Sequence, residues 1–557
     1  MIKSFFLASL ISTTICIAEV QAQIPPFREL HPLEIPEPLK PQVSPIIVKP
    51  RTQQSSPQDQ FPTLQAIQFV FIGNNTIPSN ILSKVTLPYL YKKLSFSDLI
   101  DIRNSITQFY VDRGYINSGA LILSDDNQKL NLNAATLTIR IVEGGIDKIT
   151  IDGTTRLKSY ILKHLDIQRK IFNINKFKES LKLLEDDPLI KKISATLEPG
   201  NDINTSNLTI NVKPRNPYKI EFFADNYRNS GVGTFERGVD FSALNPLKIG
   251  DRIDLTYSNS NGSNALQASY AIPLNRHNTT LKFVYSFGQN TTIQAPFQTL
   301  DIQGSSQSYN LELRHPVFRH ASEESKSELG ITLGIKHQQV QDSILGFPFP
   351  ISRGANSSGQ TRTSILSLQQ DWRYQDSIQA ANIQSRFNFG IDLGSATDPL
   401  FNHGHFFSWQ GAAVWSHRLP WNLLMTTKLR LQFSDRPVVA SEQFSLGGFG
   451  SVVGYSQDAV LGDNGIFGSI EIRIPVYEGK AGTLSLSPIF SAGHAWNNPK
   501  IDNTAQSLAS VGLGLKYDFS ENLSANLSWG FPLIDLAKHN NQSLQDAGIL
   551  LGLQWRL

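Results

Sequence analysis

The residues of this chain that could do chemistry are few. Gly447-Gly448-Phe449-Gly450 is glycine-rich enough to let a backbone approach a phosphate, but no Gly-Lys-Ser/Thr follows it. The lysine and hydroxyl that hold nucleotide phosphates and magnesium are therefore missing. His403-Gly404-His405 offers two imidazoles without a third or fourth ligand nearby, so it reads as a solvated loop rather than a metal site. Glu185-Asp186-Asp187 reads as the wet end of a helix, not as an acid–base pair. No catalytic, cofactor-binding or metal-binding constellation is expected, and the chain does not read as an enzyme. The stretch that stands out is 442–474, where Glu442 to Gly448 precedes Ser451-Val452-Val453-Gly454-Tyr455, and Gly462-Asp463-Asn464-Gly465 and Glu471 follow. Glycines at this density suit an ordinary loop or a long loop that folds back against a wall.

The elements that must position this stretch follow from composition and pattern. The chain has 557 residues, enough for several domains, and a net charge of +3, too small to imply a nucleic-acid surface. Its start reads as an export signal: Lys3, an apolar run from Phe5 to Ala18, then Val20-Gln21-Ala22 as a small-residue cleavage site. The single cysteine, Cys16, lies inside it, so the mature chain would form no disulfide. No later run of 18 apolar residues occurs. A bilayer-resident chain of this kind must be a closed barrel, because lipid cannot satisfy unpaired backbone groups.

Residues 24–62 contain ten prolines, which remove donors and fix φ, so this segment is expected to be an extended tether, neither long helix nor sheet. Residues 66–145 read β-α-α-β-β. Ala66 to Ile72 is a strand, Leu99, Ile102, Ile106 and Phe109 recur at helical spacing, Ser95 and Asp98 form a capping box, and Gly114 is the stop. Residues 146–214 repeat the pattern, with Pro188 ending the second helix. From Tyr218 onward short stretches alternate at period two. Leu281, Phe283, Tyr285 and Phe287 form one such face, and Ile549, Leu551, Leu553, Trp555 and Leu557 the last. About 16 stretches occur, an even number of the length a tilted membrane strand needs. Arg430, Glu471 and Arg473 lie opposite the apolar positions, so they are expected to face the lumen and the apolar residues to face lipid. The longest connections, 288–308, 336–365, 434–469, 491–510 and 532–548, all join an odd strand to an even one and are expected outside the cell.

Several of these residues together carry a family resemblance. They are Phe109-Tyr110 followed by Arg113-Gly114-Tyr115, Ser118, Ala120 and Val142-Glu143-Gly144; Pro188, Leu197 and Pro199-Gly200; Asp225-Asn226-Tyr227 before Gly231; and Glu442 to Gly448. Over roughly residues 64–557 the chain resembles the transporter partner of two-partner secretion systems, the haemolysin secretion/activation family. The resemblance implies a mixed fold: two small α+β polypeptide-transport-associated (POTRA) domains followed by a 16-stranded antiparallel transmembrane β-barrel. It would divide the chain into a signal peptide at 1–22, a Pro-rich linker at 23–63, POTRA domains at 64–145 and 146–216, and a barrel at 217–557 with an inward-folding loop at 434–469. In that family the loop tip reads Val-Arg-Gly-Tyr or Val-Arg-Gly-Phe, and the arginine's partner is an aspartate in a Phe-x-Asp-x-Gly motif. Here the tip is Val452-Val453-Gly454-Tyr455, and Phe490-Ser491-Ala492-Gly493 puts a serine where the aspartate stands. Both charges are gone together, which is the tolerable way to lose a buried pair. Val453 is therefore expected near Ser491, with Tyr455 as the remaining anchor.

The function implied is an outer-membrane exporter whose POTRA domains, in the periplasm, dock a large secreted partner that then passes through the barrel. Strand edges on those domains are expected to take an extended substrate segment by β-augmentation. Outer-membrane lipid is the other expected partner; no nucleotide, nucleic acid or cofactor is expected. An assembly factor that inserts other barrels is the first alternative, a solute pore the second.

Overall fold

The structure is a computed structural model that describes residues 35–39, 46–48, 63–123, 134–165, 167, 170–202, 204–393, 397, 404–498, 505–520, 522–536 and 543–557. The expected signal segment with Cys16, most of the proline-rich stretch, and His403 lie outside the described residues. The chain divides into two compact units: residues 42–216 with 320–323, and the remainder.

The first unit holds β1 (Ile46–Val48) and two modules. The first module runs β2 (Leu64–Ile72), α1 (Ser79–Thr86), β3 (Lys93–Leu94), α2 (Phe96–Val111), β4 (Gly119–Ile122) and β5 (Ala135–Val142), with sheet order β3-β2-β5-β4. Helix α2 forms because Ile102, Ile106 and Tyr110, spaced four apart, are all fully buried against the sheet. Its capping box closes as the sequence reads: the Ser95 hydroxyl accepts from the Asp98 amide at 3.3 Å, and the Asp98 carboxylate accepts from the Ser95 amide at 2.7 Å. These bonds hold the Asp98 carboxyl below the usual carboxylate range. The helix stops at Gly114, whose φ of +89° suits glycine alone. The Tyr110 hydroxyl donates to Glu143 at 3.3 Å, and burial and that carboxylate push the phenol well up.

The second module runs β6 (Gly145–Asp152), α3 (Lys158–His164), α4 (Ile174–Glu185), β7 (Ile190–Pro199) and β8 (Thr205–Pro214). Asn173 caps α4 by accepting from the amides of Asn175 and Lys176 at 3.0 and 3.3 Å. Residues of the resemblance stand at the junction of the two modules, beside others that did not carry it. Ser118 accepts from the Gly144 amide at 3.1 Å, Gly114 O accepts from Ile174 N at 2.9 Å, and Asn117 bridges Gly145 O and the Ser206 hydroxyl at 2.9 and 2.8 Å.

One expectation fails here. The proline-rich segment was expected to form no sheet, yet β1 pairs in parallel with β7 and makes the sheet order β1-β7-β8-β6. The physical reason is local. Ile46 to Lys49 is a proline-free interval between Pro45 and Pro50, so its amides are intact, and an edge position demands donors on one side only.

The second unit is a closed antiparallel barrel of 16 long strands. They are β9 (Tyr218–Asp225), β10 (Glu236–Leu244), β11 (Arg252–Ser260), β12 (Ser263–Pro273), β13 (Thr280–Thr291), β14 (Ile302–Ala321), β15 (Ser325–Ile344), β17 (Gln360–Asp376), β18 (Gln379–Ile391) and β19 (Phe407–Leu419). The rest are β20 (Leu423–Ser434), β23 (Asn464–Gly479), β24 (Gly482–Trp496), β25 (Ala505–Asp518), β26 (Leu523–Pro532) and β27 (Ile549–Arg556). A two-residue strand, β16 (Phe347–Pro348), extends the connection after β15. Strand β27 closes on β9, from Gly552 opposite Asp225 to Arg556 opposite Glu221. Outward positions carry large apolar side chains, and aromatic rings gather towards both ends, such as Trp409 with Phe433 at 5.9 Å and Trp372 with Tyr374 at 6.0 Å. This is the face of a barrel solvated by lipid.

The connections at the far end from Tyr218 are the long ones, as expected, but shorter than the sequence suggested. The ladder continues past the alternating stretches: β13 runs to Thr291, β14 starts at Ile302 and β15 extends to Ile344. Alternation ends where lipid ends, because above the bilayer both faces are wet, while the hydrogen-bonded ladder needs no apolar face.

Candidate functional site

Between β20 and β23 the chain makes a small hairpin, β21 (Phe444–Leu446) with β22 (Val460–Gly462), Phe444 standing opposite Gly462. This hairpin packs on the inner wall. Phe444, Leu446, Val452 and Tyr455 form one buried cluster with Phe467 of β23 and Leu508 of β25. The wall accepts them because two of its facing positions are glycines. Side chains at Gly465 and Gly493 would collide with the Phe444 ring and the Leu446 side chain.

The tip is held by close approach, not by charge. Gly454, at φ +90°, lies backbone to backbone on Gly530 of β26, so that a Cβ on Gly454 would come within 2.8 Å of the Gly530 carbonyl carbon. The Val453 side chain fills the space over Gly512 of β25, where a Cβ would stand 2.9 Å from it. Val452 is fully buried. The Tyr455 hydroxyl lies 2.9 Å from Ala509 O and 2.8 Å from Ile534 O, and donates to one of them. Ser491, also fully buried, shares a hydrogen bond of 2.9 Å with the Ser510 hydroxyl opposite it. Val453 thus meets β25 and β26, two residues along β25 from Ser510, and the Ser491 hydroxyl is satisfied within the wall. Phe490 points to the lipid side and is half exposed, while Gly493 faces Leu446.

The three charged residues expected in the lumen take separate places. Arg430 donates to Ser445 O at 3.0 Å, and its guanidinium lies over the Phe444 ring at 5.0 Å and the Phe467 ring at 5.7 Å. Glu471 stands opposite Thr426 on the inner face. Arg473, nearer the entry end, comes within 3.9 Å of the Glu37 carboxylate. Residues 35–39 lie against that mouth, with Leu39 N donating to Asp376 O at 2.6 Å and Gln375 donating to Glu37 O. A cavity of about 340 Å³ opens there, lined by Glu37, Arg418, Arg473, Glu478, Lys516 and Asp518 among others.

Asn226 and Tyr227 stood among the residues of the resemblance, but their partners carried no sequence signal. The Asn226 side chain clasps the barrel seam, donating to Ile549 O at 2.9 Å and accepting from Leu551 N at 2.7 Å. Buried Gln545 donates to Arg228 O at 2.8 Å and accepts from Gln457 N at 3.0 Å, so it ties the seam to the loop. The Tyr227 and Phe449 rings stack at 3.9 Å. These pairs lie hundreds of residues apart, and a single polar residue in a polar stretch announces nothing. Among the described residues no three metal-ligating side chains come together.

Comparison with known proteins gives a consistent picture. Residues 204–517 match the family model described as haemolysin secretion/activation protein ShlB/FhaC/HecB, and residues 64–144 match the ShlB-type POTRA domain. The heme/hemopexin transporter protein HuxB of Haemophilus influenzae is 22% identical over 87% of this chain and 86% of its own length. The outer membrane transporter CdiB of Dickeya dadantii is 22% identical over 81% of this chain and 79% of its own. Among solved structures, CdiB from Escherichia coli superposes with a TM-score of 0.69 at 18% identity, covering 91% of this chain and 93% of that one.

Proposed function

Because this chain belongs to the haemolysin secretion/activation family, whose model matches more than half of it, we propose that it exports one large secreted partner protein across the outer membrane. The POTRA modules stand in the periplasm and the barrel is the conduit. The step is read as transport through the barrel rather than a catalysed reaction, in keeping with the transporters the chain resembles. Outer-membrane lipid contacts the apolar outer face, and neither nucleotide nor nucleic acid takes part.

The observation that carries the docking step is the pairing of β1 with β7, Ile46 opposite Ala195 to Val48 opposite Leu197. A sheet edge of the second module holds an extended stretch of polypeptide by its backbone. Backbone pairing is indifferent to side chains, so an unfolded cargo segment can take the same edge once β1 leaves. The chain's own segment then acts as a competitor that cargo must displace. Two modules, rather than a longer array, favour export over barrel insertion.

The test uses the full-length protein. Ile47→Pro removes a donor from β1 and leaves β7 intact. Cargo affinity should rise by about fivefold as the competing state empties, and secretion should persist. Unchanged affinity would place docking elsewhere. Deleting the gene should trap one large polypeptide in the periplasm; a general collapse of outer-membrane barrels instead would favour the insertase reading.

A further inference from the structure

The loop between β20 and β23 is tied to the barrel in two chemically different ways. Its tip carries no charge, and Val453, Gly454 and Tyr455 touch β25 and β26 through packing and one hydroxyl. Its stem is held by ions. Asp463, with no exposure at all, receives the Arg353 guanidinium as a fork, Nη1 to Oδ1 at 3.1 Å and Nη2 to Oδ2 at 3.2 Å. The same two oxygens accept from Val438 N at 2.9 Å and Asn498 N at 2.8 Å. Four donors therefore occupy four lone-pair sites, which is the compensation a carboxylate buried out of water requires. The donors come from the loop's incoming arm, from the connection after β24, and from the connection between β15 and β17. A second ion pair joins Glu442, on the incoming arm, to Lys336 of β15 at 3.2 Å.

Both cations belong to one element, the β15–β17 hairpin, and neither belongs to β24, where an ionic partner for the tip would have to stand. We propose that Arg353 and Asp463, supported by Lys336 and Glu442, are the positioning residues that keep the loop seated in the lumen. The connection 345–359 is then the part that must shift to release it. The charge lock of this chain sits at the loop's stem, and its counterpart is an outer connection, so the loop is released from the cell-surface end. A fork-shaped donor suits this task, because guanidinium and carboxylate fix each other in a plane, whereas an ammonium holds only a point.

The inference rests on the export reading only for what passes when the loop leaves; the lock can be read without any cargo. Purified full-length protein in planar lipid bilayers gives the fraction of time the channel conducts. R353M should raise that fraction by about tenfold, and R353M/D463N should bring it most of the way back to the parent value, because the carboxylate that needs the guanidinium is gone. R353K, which keeps the charge and loses the fork, should fold in any case and give a smaller rise, about threefold. K336M should move the reading in the same direction. Heat-shifted gel mobility confirms that each barrel is closed. Wild-type conductance in R353K and R353M, or strict additivity in the double variant, overturns the proposal. Failure of export itself shows only in the secretion assay, so the two readings fail separately.

Discussion

The POTRA modules and the barrel use the same alternation of side chains to opposite ends. In β5, Leu137, Ile139 and Ile141 are buried and Arg140 is exposed. In β13 the small polar residue Ser286 is buried and the large apolar Phe283 is 44% exposed. The period fixes which residues share a face; only the solvent decides what each face wants. In the modules the apolar face buys stability by leaving water. In the barrel the large side chains gain nothing from one another and meet lipid. The inner face carries serine, threonine, asparagine and glycine among a few larger side chains such as Phe467 and Arg430, and the size at each place must match the chain folded against it.

If that contrast holds, the largest effect should come from putting a charge on the lipid face. Leu333 of β15 is 57% exposed on the outer face. Leu333→Arg should cost about 2–4 kcal/mol, read as a lower denaturant midpoint for refolding into lipid vesicles by heat-shifted gel mobility. Arg430 already stands on the inner face of β20, where it finds a carbonyl and two rings. A Leu333→Arg barrel as stable as the parent would mean that the outer face is wet.

A smaller effect should come from the inner face, where size rather than polarity is limiting. Gly512→Ala should overpack against Val453 and cost about 1–3 kcal/mol in seating of the loop tip. Val453→Ala in the same chain should relieve it. Gly530→Ala should not be relieved in this way, because its Cβ would meet the backbone of Gly454. Accessibility of the tip to protease from outside reads both. Equal rescue of the two variants would show that Val453 does not lie where the packing puts it.

The smallest effect belongs to the modules. Tyr110→Phe removes the hydrogen bond to Glu143 and should cost about 1 kcal/mol by hydrogen exchange at neutral pH. The phenol's folded value lies above its unfolded one, so its contribution is complete below about pH 10 and is lost as pH rises further. Tyr110→Phe should therefore flatten the alkaline fall in module stability. An unchanged fall would assign it to another group.

The candidate site was legible only in part. Alternation from Leu281 to Phe287 and from Ile549 to Leu557 was enough for the strands, because lipid demands an apolar residue at every second place. It could not mark the polar ladder above the bilayer. The proline-rich stretch read as a tether because prolines dominate it; the three residues that pair with β7 were hidden by their neighbours. The glycines around Tyr455 marked a close approach, but not that the surfaces approached would be Gly512 and Gly530.

By itself the sequence determined the local facts of this protein: the capping box at Ser95, the stop at Gly114, the period-two strands, and the absence of both the arginine at 453 and the aspartate at 491. Those depend on neighbours along the chain. Only the tertiary structure decided that Asp463 meets Arg353, that Asn226 and Gln545 join the seam to the loop, and that Ser491 turns to Ser510. Each of these is a bond between polar groups far apart in sequence. Its partner is fixed by closing the barrel, which sets one strand's register against every other, so no local pattern can encode it.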